Sequence, residues 1–507
     1  PLSDEDIADL VAFLEALTDP EVEDLSGLLV DTVPSGLALD VVPADLEIYA
    51  TPAPAIEQTD TTTDEDEPAS WNFENVASQV GLDFQHGAFV NDVYSDPIAM
   101  MGGGLCWIDY DSDGWLDLYV VNSYAEDEVD DLIAQDALPT NQLYRNIGGT
   151  FENVSIGSGA DLTMRGNGCI VADFNNDSLP DIHITADGPN ALLWNMGDGT
   201  FAEGAEASGI ASSEWNTAAA TIDLNGDGWL DLFVGSYIDL DNEVPNPIGA
   251  FPQDYYGIPD RLYLSNGMND AGIVTFREIT RDVGITIEER ALGAIFDDFD
   301  KDGDPDLYIA NDGQPNRLYE YQPLSNDPLG IGFRLIDTYE TSGVNDRGSG
   351  MGVASGDWTG DSYPDLVVTN WDVELNAIYR NQFTESGQLE FAYSTYRIGM
   401  AGFGNSMTGW GVHFADFDLD TDLDMMTVNG RVPITNFDVD AEYVRLYGNR
   451  HAEGYPEQFR EWTQLVGLRD NGTLMARGSA VADFDNDGDL DVAINSIGQS
   501  ITLLQNN

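Results

Sequence analysis

The 507-residue sequence predicts an all-β fold, a seven-bladed β-propeller with Ca²⁺-binding loops, preceded by a short helix and an extended linker. Three observations predict it. A nine-residue acidic stretch recurs seven times, each copy sits within the same order of short β-rich segments, and those segments are offset by one strand at the two chain ends.

Taken in chain order, residues 3–19 (SDEDIADLVAFLEALTD) place Ile7, Leu10, Val11, Leu14 and Leu17 at helical spacing behind a Ser3 cap, and Pro20 follows. Residues 1–20 therefore read as an amphipathic helix. Residues 21–70 are rich in Pro, Thr, Asp and Glu and read as a linker. From about 71 to 507 a four-strand unit repeats. It runs from a Gly-rich strand such as GMGVAS (350–355) through the acidic loop to a hydrophobic strand such as DLYVVN (117–122). A strand like NQLYRN (141–146) and a segment opening on phenylalanine, like FENVS (151–155), complete it. The phenylalanine segments begin at Phe73, Phe151, Phe201, Phe276, Phe333, Phe391 and Phe459; the first precedes any acidic loop, and the last unit stops after its third strand, ITLLQN (501–506). The segment at 73–78 is thus expected to supply the missing fourth strand of the final blade and to hide its edge.

The acidic loops place oxygen ligands at positions 1, 3, 5 and 9. These are Asp109, Asp111, Asp113 and Asp117; Asp173, Asn175, Asp177 and Asp181; Asp223, Asn225, Asp227 and Asp231; and Asp298, Asp300, Asp302 and Asp306. The remaining loops offer Asp357, Thr359, Asp361 and Asp365; Asp416, Asp418, Asp420 and Asp424; and Asp483, Asp485, Asp487 and Asp491. Alternating carboxylates plus the backbone carbonyl at position 7 make an oxygen cage that suits Ca²⁺ better than the smaller Mg²⁺, so up to seven Ca²⁺ are expected. An Asp/Gly surface turn would explain one copy, but not seven in one register. Asn175 and Asn225 keep an oxygen but lose charge, and Thr359 makes the loop at 357 the weakest. Ser178, Ser362 and Thr421 replace glycine at position 6, a cost if the turn needs a positive φ.

Charge bounds the function. Ninety-two acidic and 18 basic residues give a formal net charge of −74, and Lys301 is the only lysine. Nucleic acid and anionic membranes both require a basic surface that this chain cannot assemble. No apolar run is long enough for a membrane span. The start at Pro1 reads as a piece of a longer precursor. Two carboxylates 4 Å apart repel by about 1 kcal/mol in water, so the loops should fray without a cation. With affinities of the extracellular class and free Ca²⁺ near about 10 mM, each loop would gain roughly 1.4 to 2.7 kcal/mol. Cytosolic calcium is too scarce to fill sites of that class, so a secreted or cell-surface location is expected.

The units resemble FG-GAP-type calcium-binding repeats, as in the integrin α propeller, and more closely the bacterial relatives of cartilage acidic protein. FENVASQVGLDFQHG, MGGGLCWIDYDSDGWLDLYVVN, NQLYRN with GGTFENVS, and DRLYLSNG with FREITRDVGI carry the resemblance. It implies a seven-bladed propeller with Ca²⁺ between blade strands, extracellular and concerned with binding or adhesion. The first 40 residues look like the tail of a di-haem cytochrome c peroxidase, without a haem ligand motif.

Other features are weighed lower. Cys106 and Cys169 could form a disulfide, although their offsets from the loops point them to opposite sheet faces. His86, His183, His413 and His451 are scattered and read as packing or surface residues. Insertions at 123–140 and 236–260 lengthen loops of blades one and three; solvated packing is the bland reading, and a sugar stacked on Tyr255 and Tyr256 the sharp one. No nucleophile motif appears, so a non-enzymatic binding, adhesion or assembly module is expected, with protein or polysaccharide partners or self-assembly through the N-terminal helix. The alternatives are a lyase acting on acidic polysaccharide through Arg165, Arg347 or Arg477, and an accessory to a haem protein.

Overall fold

The computed structural model describes residues 71–89, 96–400, 407–455 and 457–507. The expected helix, linker and peroxidase-like tail lie outside them.

Seven four-stranded antiparallel sheets form the blades. Their first strands, Leu105–Ile108, Arg165–Ala172, Asn216–Ile222, Ala291–Asp297, Val353–Gly356, Gly409–Ala415 and Ala476–Ala482, adjoin one another in order, and the last adjoins the first. The fold is therefore a closed seven-bladed propeller. These strands are built of small residues because they crowd the axis: a Cβ on Gly104 would lie 2.6 Å from Gly168 Cα, and one on Gly352 would lie 1.8 Å from the Trp410 carbonyl oxygen. In the last blade the fourth strand is Phe73–Asn75, paired antiparallel with Thr502–Asn506 in the register Phe73 to Asn506. The two ends of the ring are thus joined by backbone hydrogen bonds, which gives the final blade the same four strands as the others.

The apolar core lies between blades. One cluster joins Trp358, Val367 and Ile378 of blade five to Val412, Met425 and Phe459 of blade six. Trp358 is about 1% exposed. Alternation along each strand gives both sheet faces an apolar set, so each blade buries itself against two neighbours.

The disulfide is a correction to the sequence reading. Cys106 and Cys169 are bonded, with Cα atoms 6.1 Å apart. Opposite sheet faces, which argued against pairing within one sheet, are what a bridge between stacked blades requires. Cys106 sits on the first strand of blade one and Cys169 on that of blade two.

Candidate functional site

Each acidic loop joins the first and second strands of a blade, so all seven occupy one rim of the ring. Position 1 holds the turn. Asp109 Oδ1 accepts the N–H of Asp113 at 3.0 Å and Oδ2 accepts that of Gly114 at 3.1 Å, while Asp113 Oδ1 accepts the N–H of Trp115 at 3.0 Å. The same bonds recur at Asp173, Asp357 and Asp483. Position 6 does need a positive φ: it is 72° at Ser178, 75° at Ser362 and 81° at Thr421. Position 4 needs one too, which sequence reading missed. Ser112, Asn176, Lys301, Leu419 and Asn486 lie at φ between 57° and 61°. Holding side chains there costs on the order of 1 kcal/mol each.

Position 9 opens the second strand and is buried in every blade. Asp117 Oδ1 accepts the N–H of Asn146 at 2.7 Å and Oδ2 accepts that of Tyr110 at 3.1 Å. Asp181, Asp231, Asp424 and Asp491 make the same pair of bonds. Burial pushes the carboxyls of Asp117, Asp181, Asp231 and Asp491 up to about 7 and those of Asp306, Asp365 and Asp424 up to about 8, against the pull of these backbone bonds. Crowding adds to it, since neighbouring loop carboxylates also raise them.

Among the described residues, three carboxylates converge within 4.8 Å in four of the loops: Asp109, Asp111 and Asp117; Asp298, Asp300 and Asp302; Asp416, Asp418 and Asp424; Asp483, Asp485 and Asp491. Asp420 and Asp422 of the loop at 416 form a further group with Glu453. The loops at 173, 223 and 357, where Asn175, Asn225 and Thr359 stand, bring no such triple together. Thr359 Oγ1 instead donates to Asp357 Oδ1 at 3.3 Å. The donor set fits a hard cation by chemistry and by three orphaned atoms: Asp111 Oδ1, Asp298 Oδ1 and Asp485 Oδ1 are buried without a hydrogen-bond partner. Neighbours on the third strand differ from blade to blade. Arg145 lies 2.6 Å from Asp111 and 3.0 Å from Asp113, whereas Glu320 adds a further negative charge near Asp300.

Two recurrent residues that are not oxygen ligands tie the loops into a circle. Position 2 is a large apolar side chain packed on the fourth-strand phenylalanine of the next blade. Tyr110 lies 6.0 Å from Phe201, Phe299 5.7 Å from Phe391, Trp358 5.5 Å from Phe459, Phe417 5.8 Å from Phe73 and Phe484 5.9 Å from Phe151. Its carbonyl accepts the side-chain amide of the asparagine ending the next blade's third strand. Asn146 bonds Phe484, Asn195 bonds Tyr110, Asn381 bonds Phe299, Asn449 bonds Trp358 and Asn506 bonds Phe417, at 2.7 to 2.9 Å. In blade four Tyr321 Oη donates to the Leu224 carbonyl instead, at 2.9 Å. The signal was present in sequence as the asparagine ending NQLYRN, NAIYRN and ITLLQN.

The histidines join no such metal-type cluster among the described residues. His86 and His183 are buried and His413 partly so, and burial lowers the pKa of all three. Two of the three arginines considered for catalysis are committed to structure. Arg165 pairs with Asp96 at 2.6 Å and Asp187 at 3.0 Å, and Arg477 is buried, donating to the carbonyls of Met100 and Gly430 and stacking on Trp410.

The rim opposite the acidic loops carries a cleft of about 1040 Å³. The insertion at 236–260 forms much of its wall: Ile238–Glu243 pairs with Tyr255–Gly257, and Asp254 accepts the N–H groups of Ile248, Gly249 and Ala250 at 2.6 to 3.0 Å. The remaining wall comes from the axial end of blades four to six, including Leu292, Met351 and Trp410, and from Pro97, Met100 and Met101 ahead of blade one.

The FG-GAP-like repeat family matches residues 109–184, 173–234 and 298–368. Cartilage acidic protein 1 of Homo sapiens is 27% identical over 277 residues, covering 53% of this chain and 38% of that protein. The Xenopus tropicalis protein is 28% identical over 305 residues, covering 57% and 42%, and that of Mus musculus is 27% identical over 277 residues, covering 53% and 38%. The chain therefore spans about two-fifths of the length of the curated relatives it matches. It is a seven-bladed propeller, three stretches of which match the FG-GAP-like repeat, and about half its length is similar to cartilage acidic protein 1.

Proposed function

We propose that this chain is a non-enzymatic binding module of the cell exterior whose ring is clamped by Ca²⁺ in the acidic loops. The observation that carries this reading is the convergence of three carboxylates, some with orphaned buried oxygens, in loops that also form the joints between blades. Positions 1, 3, 5 and 9 of each loop would hold the ion. The ion would supply the positive charge that the buried position-9 carboxyls lack. A net charge of −74 adds to the repulsion that bound cations would relieve. Extracellular placement is supported by the abundance of free Ca²⁺ there, which sites of the extracellular affinity class need, and by relatives named for cartilage.

The test is a melting curve of metal-free protein against protein in about 10 mM CaCl₂, beside metal analysis of the purified chain. Calcium should raise the Tm by ten degrees or more and the bound ion should be calcium. An unchanged Tm, or the same rise with an equal concentration of a monovalent salt, defeats the proposal. A lyase acting on acidic polysaccharide finds less support, because Arg165 and Arg477 are held by structural bonds and Arg477 is fully buried.

A further inference from the structure

The cleft on the rim away from the acidic loops has a composition that selects its ligand. Among the described residues, five aromatic side chains line it: Tyr237, Phe251, Tyr255, Trp371 and Trp410. Three form a continuous wall, with Tyr237 6.1 Å from Phe251 and Phe251 6.2 Å from Tyr255. Their polar handles are largely spent. Trp371 Nε1 donates to the Val432 carbonyl at 2.8 Å, Trp410 Nε1 to the Gly430 carbonyl at 2.7 Å, and Tyr237 Oη to Asp312 Oδ2 at 2.6 Å. What remains for a ligand is ring surface. Trp371 is 37% and Phe251 41% exposed although both are large and apolar.

The charged groups of the cleft all have one sign. Glu243, Asp254 and Asp312 line it, and no lysine, arginine or histidine does. Every one of the 18 basic residues of the chain falls among the described residues, so none is hidden elsewhere. The nearby cations stand behind the lining: Arg477 covers one face of the Trp410 ring at 4.2 Å, and the charge of Arg290 reaches Asp312. Arg290 donates to the Tyr255 carbonyl at 3.1 Å, Arg431 pairs with Asp372 at 3.2 Å, and Arg477 is buried along the axis. Asp312, about 8% exposed, accepts the Tyr237 hydroxyl and feels the charge of Arg290, whereas Glu243 stands exposed at the wall. An anionic ligand would meet the negative charge of Glu243 and Asp254 here, and a cation would gain from it. The volume is that of a cleft for a small organic molecule.

We propose that this cleft binds a small organic ammonium ion, its positive nitrogen between the aromatic rings and the carboxylates of Glu243 and Asp312, and its apolar substituents against the methionines and prolines of the wall. This rests on the reading of the ring as a binding module and adds to it the class of ligand. Ring quadrupoles attract a desolvated cation most strongly where tryptophan supplies the face.

Titration calorimetry of the full chain in saturating CaCl₂, so that the acidic loops are not the cation sink, tests it with phenyltrimethylammonium against its neutral isostere tert-butylbenzene and against benzenesulfonate. The cation should bind at least ten-fold more tightly than the isostere, and the sulfonate should not bind. Trp371→Ala and Glu243→Gln, both exposed positions, should each weaken the cation by several-fold with the Tm unchanged. Equal binding of the neutral isostere, absence of cation binding up to 10 mM, or full retention of binding in the double variant overturns the proposal. Because the readout is separate from the calcium melting curve, failure here with an intact calcium effect removes the cleft assignment alone. Cation binding without a calcium effect removes the loop assignment alone.

Discussion

At position 9 of each loop a nearly unexposed carboxyl accepts a backbone N–H from the third strand, and in five of the loops a second from position 2. Burial raises these groups from the ordinary range near 4 to about 7 or 8. The folded, metal-free state therefore holds protons that the unfolded chain has released. Such a contribution is complete below the unfolded pKa and is lost as pH rises through the folded one. The metal-free Tm should fall between pH 5 and pH 8, and the increment from Ca²⁺ should grow across the same window; a metal-free Tm that climbs with pH would contradict both. Asn381 is a second test at this scale. Its side-chain amide donates to the Phe299 and Pro364 carbonyls at 2.8 and 3.0 Å from a fully buried position. Asn381→Ala should cost about 1 to 3 kcal/mol in denaturant unfolding, because two buried acceptors lose their donor.

The loop as an element was legible because its spacing is chemical: oxygens at alternate positions are needed wherever one ion is caged. Its turn was only half legible. Asp and Gly announce position 6, but Ser112 and Lys301 at position 4 carry no mark of a left-handed backbone. Nor does the loop sequence reveal its neighbours. Arg145 reaches loop 109 from the third strand and occupies oxygens that a cation would use. Arg145→Gln should therefore tighten Ca²⁺ at that loop, by up to about five-fold given the modest worth of an exposed ion pair, as measured by calorimetry against the parent chain. A weaker loop in the variant would mean that Arg145 orders the carboxylates instead of competing for them.

For the whole molecule, closure depends on contacts between residues far apart in sequence. Phe73–Asn75 pairs with the last strand, and Cys106 is bonded to Cys169 across 63 residues, linking blades one and two. Cross-linking a loop of that length restricts the unfolded chain by about 4 kcal/mol in the chain-entropy account. The Cys106→Ser, Cys169→Ser double variant should lose up to that amount in guanidinium unfolding while keeping its blade count. Equal stability would show that the blades are held by their packed faces alone.

Repetition is why so much could be read without coordinates. Seven copies of one unit determine strand order, loop position and, through the offset of Phe73 against ITLLQN, the way the ring shuts, since each unit must bury the same faces against the next. Where the repeat is silent, tertiary structure decided. It placed Cys106 opposite Cys169 by stacking two sheets face to face, set Arg145 on one loop and Glu320 beside another, and folded the 236–260 insertion into the wall of a cleft. Those outcomes depend on which side chains from different blades meet, and period and composition carry no information about distance between units.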